Sequence, residues 1–249
     1  MRGIAGKTAL VTGAAAKGGI GFSCARRLAA EGAKVLLADI DEKALAESTA
    51  RLRDEGYVVN SVPLNVINEP DWDNAVTRLT ADWGRFDVLV NNAGIAVLGN
   101  LIDLSLDQFR RQSEINIHGV FLGCRAAMRY MTSHGGGIII NMSSIAAFGS
   151  GPGSSAYAAS KAAVNMLTKT LALEAASSNV RVNSVHPGLI DTTMISSTVE
   201  ASPGIVEVIP LRRLGRPDEI AAMVAFLASD DASYCQGGSF IVDGGMSAQ

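Results

Sequence analysis

Short apolar runs alternate with longer segments of helical periodicity from one end of the chain to the other. Seven of the runs predict strands: Thr8–Thr12, Lys34–Ala38, Tyr57–Pro63, Phe86–Asn91, Gly137–Met142, Arg181–His186 and Ser239–Val242. Val35-Leu36-Leu37 and Ile138-Ile139-Ile140 are apolar at every position, which suits strands covered on both faces. Between the strands, the spacing predicts helices over Ile20–Glu31, Glu42–Glu55, Glu69–Trp83, Leu106–Ser133, Ala156–Ser177 and Asp218–Ser229. Asp41 before Glu42, and Pro217 before Asp218-Glu219, are helix start signals. Alternating β and α units with short connections predict an α/β fold, a doubly wound parallel sheet of about seven strands with helices on both faces. No repeat, low-complexity stretch or Pro/Ser-rich linker divides residues 1–249, so a single domain is expected. In such a sheet ligands sit outside the carboxyl ends of the strands, near the point where strand order reverses.

Composition narrows the function. The chain has 249 residues, 48% of them hydrophobic and 18% charged, ample for a core and unlike a disordered chain. Against 24 acidic residues stand 21 Lys and Arg, a net charge of −3 with both signs interspersed. That balance lacks the basic footprint of a nucleic-acid or anionic-membrane binder, so neither partner is expected. The longer apolar runs, such as Ile138 to Ile140 and Val224 to Ala228, fall far short of the ~20 residues that span a bilayer. Lys7 and Gly13 interrupt the apolar N-terminus, which reads as a strand entering a turn rather than as a secretory leader. Cys24, Cys124 and Cys235 are widely spaced and form no CxxC pair; reduced thiols in a cytoplasmic protein are expected. His118, His134 and His186 are isolated and lack ligand spacing, so no metal site is expected.

The first strand runs into Thr12-Gly13-Ala14-Ala15-Ala16-Lys17-Gly18-Gly19-Ile20-Gly21 and then a helix. Glycines there let the backbone approach a pyrophosphate, and a helix N-terminus offers free N–H groups and partial positive charge. Such a turn also occurs as an ordinary βα loop, and position in the first βα unit favours the dinucleotide reading. The second strand ends at Asp39, 26 residues after Gly13. A carboxylate at that point accepts from an adenosine ribose diol and repels a 2′-phosphate, which favours NAD over NADP. Asp39 has an alternative role as a cap for the helix near Glu42. Lys17 dissents, because a cation in the loop suits an extra phosphate.

Tyr157 and Lys161 lie four apart on a predicted helix and so share a face. A phenol with a pKa near 10 is a poor base at neutral pH, and a nearby ammonium favours its phenolate. In isolation YxxxK equally describes a solvent-facing lysine beside a half-buried tyrosine. It is not isolated here. Thr12-Gly13…Gly19-Ile20-Gly21, Asn91-Asn92-Ala93-Gly94, Asn116, Ser143-Ser144, Tyr157-Ala158-Ala159-Ser160-Lys161 and Pro187-Gly188 occur in order. In this the sequence resembles the short-chain dehydrogenase/reductases, in the branch of about 250 residues, from about Lys7 to Gly245.

The resemblance implies a Rossmann-type sheet and a role for each matching residue. Tyr157 would act as general acid in ketone reduction and as base in alcohol oxidation. Ser144 would hydrogen-bond the substrate oxygen. Lys161 would bind the nicotinamide ribose and lower the Tyr157 pKa, and Asn116 would hold a water linking Lys161 to solvent. Gly13, Gly19 and Ile20 would contact the cofactor in the glycine turn, and Asp39 its ribose. Asn92, Ala93 and Gly94 would face its adenosine side, and Pro187 and Gly188 would border the nicotinamide. Ile190 and Thr192 would hold the carboxamide, which selects the ring face for transfer. Tyr157 and Lys161 count among the cofactor contacts as well as the catalytic set.

Two departures from the family pattern stand out. Five residues separate Gly13 from Gly19 where the family has three, so a bulge near Lys17-Gly18 is expected. Asn65-Val66 replaces the usual Asp-Val beside the adenine; the Asn side-chain carbonyl still accepts a bond from the adenine amino group.

The segments around Ser144 and Tyr157 carry Val97, Leu98, Phe148, Leu189, Met194, Ile195, Val206 and Ile209 with few charges. They predict an apolar pocket for a neutral alcohol or ketone, although many of these side chains also suit a core. The stretch Leu189–Pro210 is long for a loop and suits a lid. The resemblance further implies a homotetramer built on the helices Leu106–Ser133 and Ala156–Ser177 and on the segment Arg212–Gly245. The leading expectation is an NAD(H)-dependent oxidoreductase that interconverts a secondary alcohol and a ketone. Alternatives are an NADPH-dependent 3-oxoacyl-carrier-protein reductase, with Arg125 and Arg129 docking an acidic carrier, and a non-catalytic NAD(H) sensor.

Overall fold

In a computed structural model that describes residues 1–195 and 203–248, seven strands form one sheet. They are β1 (Thr8–Thr12), β2 (Lys34–Asp39), β3 (Val59–Pro63), β4 (Val88–Asn91), β5 (Gly137–Met142), β6 (Val180–Pro187) and β7 (Ser239–Val242). All pairs are parallel, in the order β3-β2-β1-β4-β5-β6-β7. The order reverses between β1 and β4, so the crevice lies where the turn after β1 meets the turn after β4.

Alternate strand residues supply two cores, as the all-apolar runs predict. Val11, Val35, Leu37, Val90 and Ile140 face α1 (Ile20–Ala30), α2 (Glu42–Asp54) and α7 (Pro217–Ala228). Leu10, Leu36, Leu89, Ile139 and Val182 face α3 (Glu69–Trp83), α5 (Gly119–Met131) and α6 (Ser155–Ala175). The small residues Ala25 of α1 and Ala221 and Ala225 of α7 are buried in the first core, which lets these two helices pack closely on the sheet. Each fully buried leucine contributes on the order of 2 kcal/mol, so the two layers together anchor the strand ends that carry the site.

The predicted helix Leu106–Ser133 is in fact three pieces. α4 (Leu106–Ser113) opens on a capping box of Ser105 and Gln108; a π-helical turn, Glu114–His118, follows; α5 completes the run. The Gly119 N–H reaches back to the Glu114 carbonyl, five residues away, which widens one turn around Asn116. Periodicity does not reveal this because a single widened turn leaves the apolar face nearly in register. β3 starts two residues later than predicted, because Gly56, at φ +87°, and Tyr57 close the end of α2 through bonds to Arg53 and Leu52. Of the predicted lid, residues 196–202 lie outside the described residues, while Pro203–Val208 form a short 3-10 segment. Among the described residues no helix is long and apolar enough to cross a membrane.

Candidate active site

The glycine turn after β1 is held from the far side of the switch point. Thr12 Oγ1 accepts from the N–H groups of Asn92 (3.0 Å) and Ala93 (3.1 Å). The Asn92 amide in turn donates to the carbonyls of Thr12 (3.0 Å) and Gly13 (3.2 Å). A Cβ on Gly21 would stand 2.2 Å from the Gly13 carbonyl oxygen, so only glycine fits where helix and turn cross. The bulge falls where it is expected: Gly18 takes φ +81° and projects into open space. α1 then begins at Ile20, after Gly19 at the cap position, with no side-chain cap and no acidic residue in its first turn, leaving its N-terminal N–H groups for an anion.

Asp39, at the end of β2, is fixed by two backbone donors, Ala15 N–H to Oδ2 (3.0 Å) and Asp41 N–H to Oδ1 (3.1 Å). The cap of α2 is Asp41, which accepts from Ala44 N–H, so Asp39 is left facing the crevice. Lys17 pairs with Glu47 at 3.3 Å instead of standing free in the glycine turn. Asn65 and Val66 line the same end; Asn65 Oδ1 takes one donor, Ile67 N–H at 3.3 Å, which leaves its second lone pair.

Two adjoining hollows share Ile20, Asn92, Gly94, Ile95, Thr192 and Met194, and so form one cleft. One end is walled by Asp39, Asn65, Val66 and Ala93 and the other by Ser144, Tyr157, Lys161, Pro187, Gly188 and Ile190. This lining fits an extended dinucleotide, with Gly13, Gly19 and Gly21 of the glycine turn in the Asp39 hollow and Ile20 in both. Gly188 is tied to Val242 and leaves no room for a side chain, since its Cβ would lie 2.8 Å from Asp243. Thr192 Oγ1 donates to the Ile190 carbonyl at 3.3 Å.

At the second end, α6 presents Tyr157 and Lys161 one turn apart. Lys161 is buried; its ammonium donates to the Met142 carbonyl at 3.0 Å and lies 5.5 Å from the Tyr157 ring centre. Burial pulls its pKa from 10.5 down to about 8. The Tyr157 phenol is pushed above its ordinary value by burial, against the opposing hydrogen bond of the Ser144 hydroxyl. Burial thus holds the phenol as an acid. Ser143 anchors the strand end by donating from Oγ to the Lys161 carbonyl at 2.9 Å.

Asn116, fully buried in the π turn, brackets Ile95: Oδ1 accepts from its N–H and Nδ2 donates to its carbonyl, both at 2.9 Å. Nδ2 also reaches Ser160 Oγ at 3.1 Å, which joins the turn to α6. A Cβ on Gly94 would lie 3.1 Å from Asn116 Oδ1 and 3.6 Å from Lys161 Nζ, so Gly94 allows these two groups to approach.

One residue set aside in the sequence belongs to this site. His186, fully buried on β6, places Nδ1 2.9 Å from the Ser144 carbonyl and Nε2 2.8 Å from Ser184 Oγ. Absence of ligand spacing hid it, since its partners are a backbone carbonyl and a serine.

A family model described as enoyl-(acyl carrier protein) reductase matches residues 13–247. The chain is 41% identical over 245 residues to a cyclopentanol dehydrogenase of Comamonas testosteroni, covering 97% of each. It is 41% identical over 243 residues to a 3-alpha-(or 20-beta)-hydroxysteroid dehydrogenase of Mycobacterium tuberculosis, covering 98% of this chain and 90% of the other. A crystal structure of a gluconate 5-dehydrogenase from Burkholderia cenocepacia, in complex with NADP and tartrate, superimposes with a TM-score of 0.93 at 32% identity. That match covers 98% of this chain and 96% of the other. Similarity of this extent, over the whole sheet and all its strand-end turns, places the chain in the short-chain dehydrogenase/reductase family of oxidoreductases.

Proposed function

We propose that the protein interconverts a secondary alcohol and a ketone with NAD(H), using Asn116, Ser144, Tyr157 and Lys161. The observation that carries this reading is the buried Tyr157 phenol, next to Ser144 and with the buried Lys161 ammonium 5.5 Å from its ring centre, at one end of a cleft whose other end holds Asp39. When bound, the nicotinamide supplies or takes the hydride. This chain's residues handle the oxygen and its proton. In reduction Ser144 donates to the carbonyl oxygen and Tyr157 delivers the proton as charge develops there. In oxidation the phenolate takes the proton from the alcohol, and the Lys161 charge favours that phenolate. Asn116 holds the turn beside Lys161 through which the proton is exchanged with solvent.

NAD is favoured over NADP by the Asp39 carboxylate, whose charge faces the ribose end, and by the engagement of Lys17 with Glu47. A neutral, apolar substrate is favoured because Ile95, Met142, Met194 and Ile195 line the Tyr157 end and Lys161 is its one charged group among the described residues. Cyclic or steroidal alcohols, such as those in the names of the two relatives, fit that description. Docking of an acidic carrier is disfavoured, because Arg125 and Arg129 both pair with Glu69, at 2.5 and 3.3 Å. The intact catalytic set argues against a mere NAD(H) sensor. Exposed apolar side chains on α4–α6, including Phe109, Phe121, Met166 and Leu173, support assembly through those helices, and Tyr234 and Ile241 support a second face, as a homotetramer needs. The three cysteines without disulfides suit a reducing, cytoplasmic setting.

The test is Tyr157→Phe, assayed with a panel of ketones and NADH. Turnover should fall at least ~100-fold while the NADH dissociation constant stays within about threefold. A variant that turns over like the parent would remove Tyr157 from the reaction.

A further inference from the structure

The mechanism above leaves the buried imidazole beside Ser144 unused. His186 sits on β6 with no exposed surface, and both ring nitrogens are engaged. A carbonyl only accepts, so Nδ1 must carry the hydrogen that meets the Ser144 oxygen. A neutral ring then leaves Nε2 to accept from the Ser184 hydroxyl. Burial, with Lys161 and Lys169 adding repulsion, holds the ring below its ordinary pKa, while the Ser144 bond opposes this. The Phe148 ring lies over the imidazole at 4.7 Å between centres, tilted by 34°.

Ser144 needs such a hold. It is extended, at φ −166° and ψ 159°, and it begins the short turn Ile145–Ala147. Its hydroxyl oxygen accepts from Ala146 N–H at 3.1 Å, and its carbonyl accepts from Ala147 N–H at 3.0 Å. These bonds lie within the turn and cannot tie it to the sheet. Ser143 is tied to Val185 and Lys161, but the peptide after Ser144 is linked to β6, among the described residues, through the His186 imidazole.

We propose that His186 is a positioning residue for the reaction: its Nδ1–H fixes the Ser144 carbonyl, and so the direction in which the Ser144 hydroxyl meets Tyr157 and the substrate oxygen. The same ring supports Phe148 at the wall of the outer mouth, next to Ala146 and Ala147. The inference rests on the reading of Ser144 as the group that binds the substrate oxygen.

Two substitutions separate positioning from packing. In His186→Asn the amide nitrogen falls near the place of Nδ1 and keeps the Ser144 bond. In His186→Gln it falls near the place of Nε2 and keeps only the Ser184 bond. With the ketone that the wild-type enzyme reduces fastest, His186→Gln should lose about tenfold in kcat, since small misplacements of reacting groups are costly, and His186→Asn at most about threefold. NADH affinity, read by fluorescence titration, should be unchanged in both. Equal losses in the two variants, or losses that track melting temperature alone, would overturn the proposal. Ser144→Ala serves as the reference: if it retains wild-type turnover, the reading of Ser144 fails, whatever the His186 variants do. A measurement on the unaltered protein stands apart from folding of the variants. Imidazole ¹⁵N shifts should show His186 neutral with its proton on Nδ1, and a proton on Nε2 alone would refute the inference.

Discussion

Replacing Lys161 by Met should make the protein more stable at neutral pH while abolishing turnover. Lys161 is 5% exposed, and among the described residues no carboxylate pairs with it; its ammonium has the Met142 carbonyl as its hydrogen-bond partner. Burial lowers its pKa from 10.5 to about 8. At 1.36 kcal/mol per pK step, keeping that charge folded at pH 7 costs on the order of 3 kcal/mol. Met is unbranched and matches the four-atom stem without the ammonium, and the lost bond to the Met142 carbonyl takes back about 1 kcal/mol. A net gain of about 2 kcal/mol remains at pH 7.

The pH dependence identifies the source of that gain. Below about 8 the lysine is protonated in both states and its full penalty is present. Between about 8 and 10.5 the unfolded chain holds the proton and the folded chain has released it, so wild-type stability rises with pH through this window. Above 10.5 both states are neutral and the penalty is gone. The advantage of Lys161→Met should therefore shrink across that window and vanish or reverse beyond it. Urea unfolding of both proteins at equal concentration, at several pH values between ~7 and ~11, measures the difference directly. A less stable variant at pH 7, or an advantage independent of pH, would refute the account of Lys161 as a desolvated charge.

The same titration should appear in the kinetics: kcat/KM for ketone reduction should fall as pH rises through about 8, when Lys161 loses its proton while Tyr157, raised by burial, keeps its own. A profile flat to pH ~10 would detach Lys161 from the reaction. Asp39→Asn keeps an acceptor for the Ala15 N–H but removes the charge at the ribose end. Wild-type protein should prefer NADH to NADPH in fluorescence titration, and the variant should narrow that preference by about tenfold. An NADPH preference in the wild type would mean that the loop outweighs Asp39. Gly21→Ala puts a methyl 2.2 Å from the Gly13 carbonyl oxygen and 2.5 Å from Asn92 Nδ2. It should cost about 1–3 kcal/mol in urea unfolding and weaken NADH binding, and a neutral outcome would mean the turn yields freely.

Which parts were readable in the sequence follows from what kind of partner each residue uses. Strands such as Lys34–Asp39 and Gly137–Met142 declare themselves through the runs Val35-Leu36-Leu37 and Ile138-Ile139-Ile140, because burial on both faces selects apolar residues at successive positions. Tyr157 and Lys161 are legible because helical spacing alone brings them onto one face. Lys17 and Glu47 were not, since 30 residues separate them and either charge has many equally plausible partners. The deepest losses are at the strand ends. Lys161 donates to the Met142 carbonyl, His186 to that of Ser144, Asn92 to those of Thr12 and Gly13, and Ser143 to that of Lys161. In each case the acceptor is main chain, which every residue possesses and no side chain announces. A motif can therefore name the donors, while the directions in which they are held are set by where seven parallel strands happen to end. For the same reason the lone histidine in Val185-His186-Pro187 reads only as one without ligand spacing, although β6 places it against the carbonyl of Ser144.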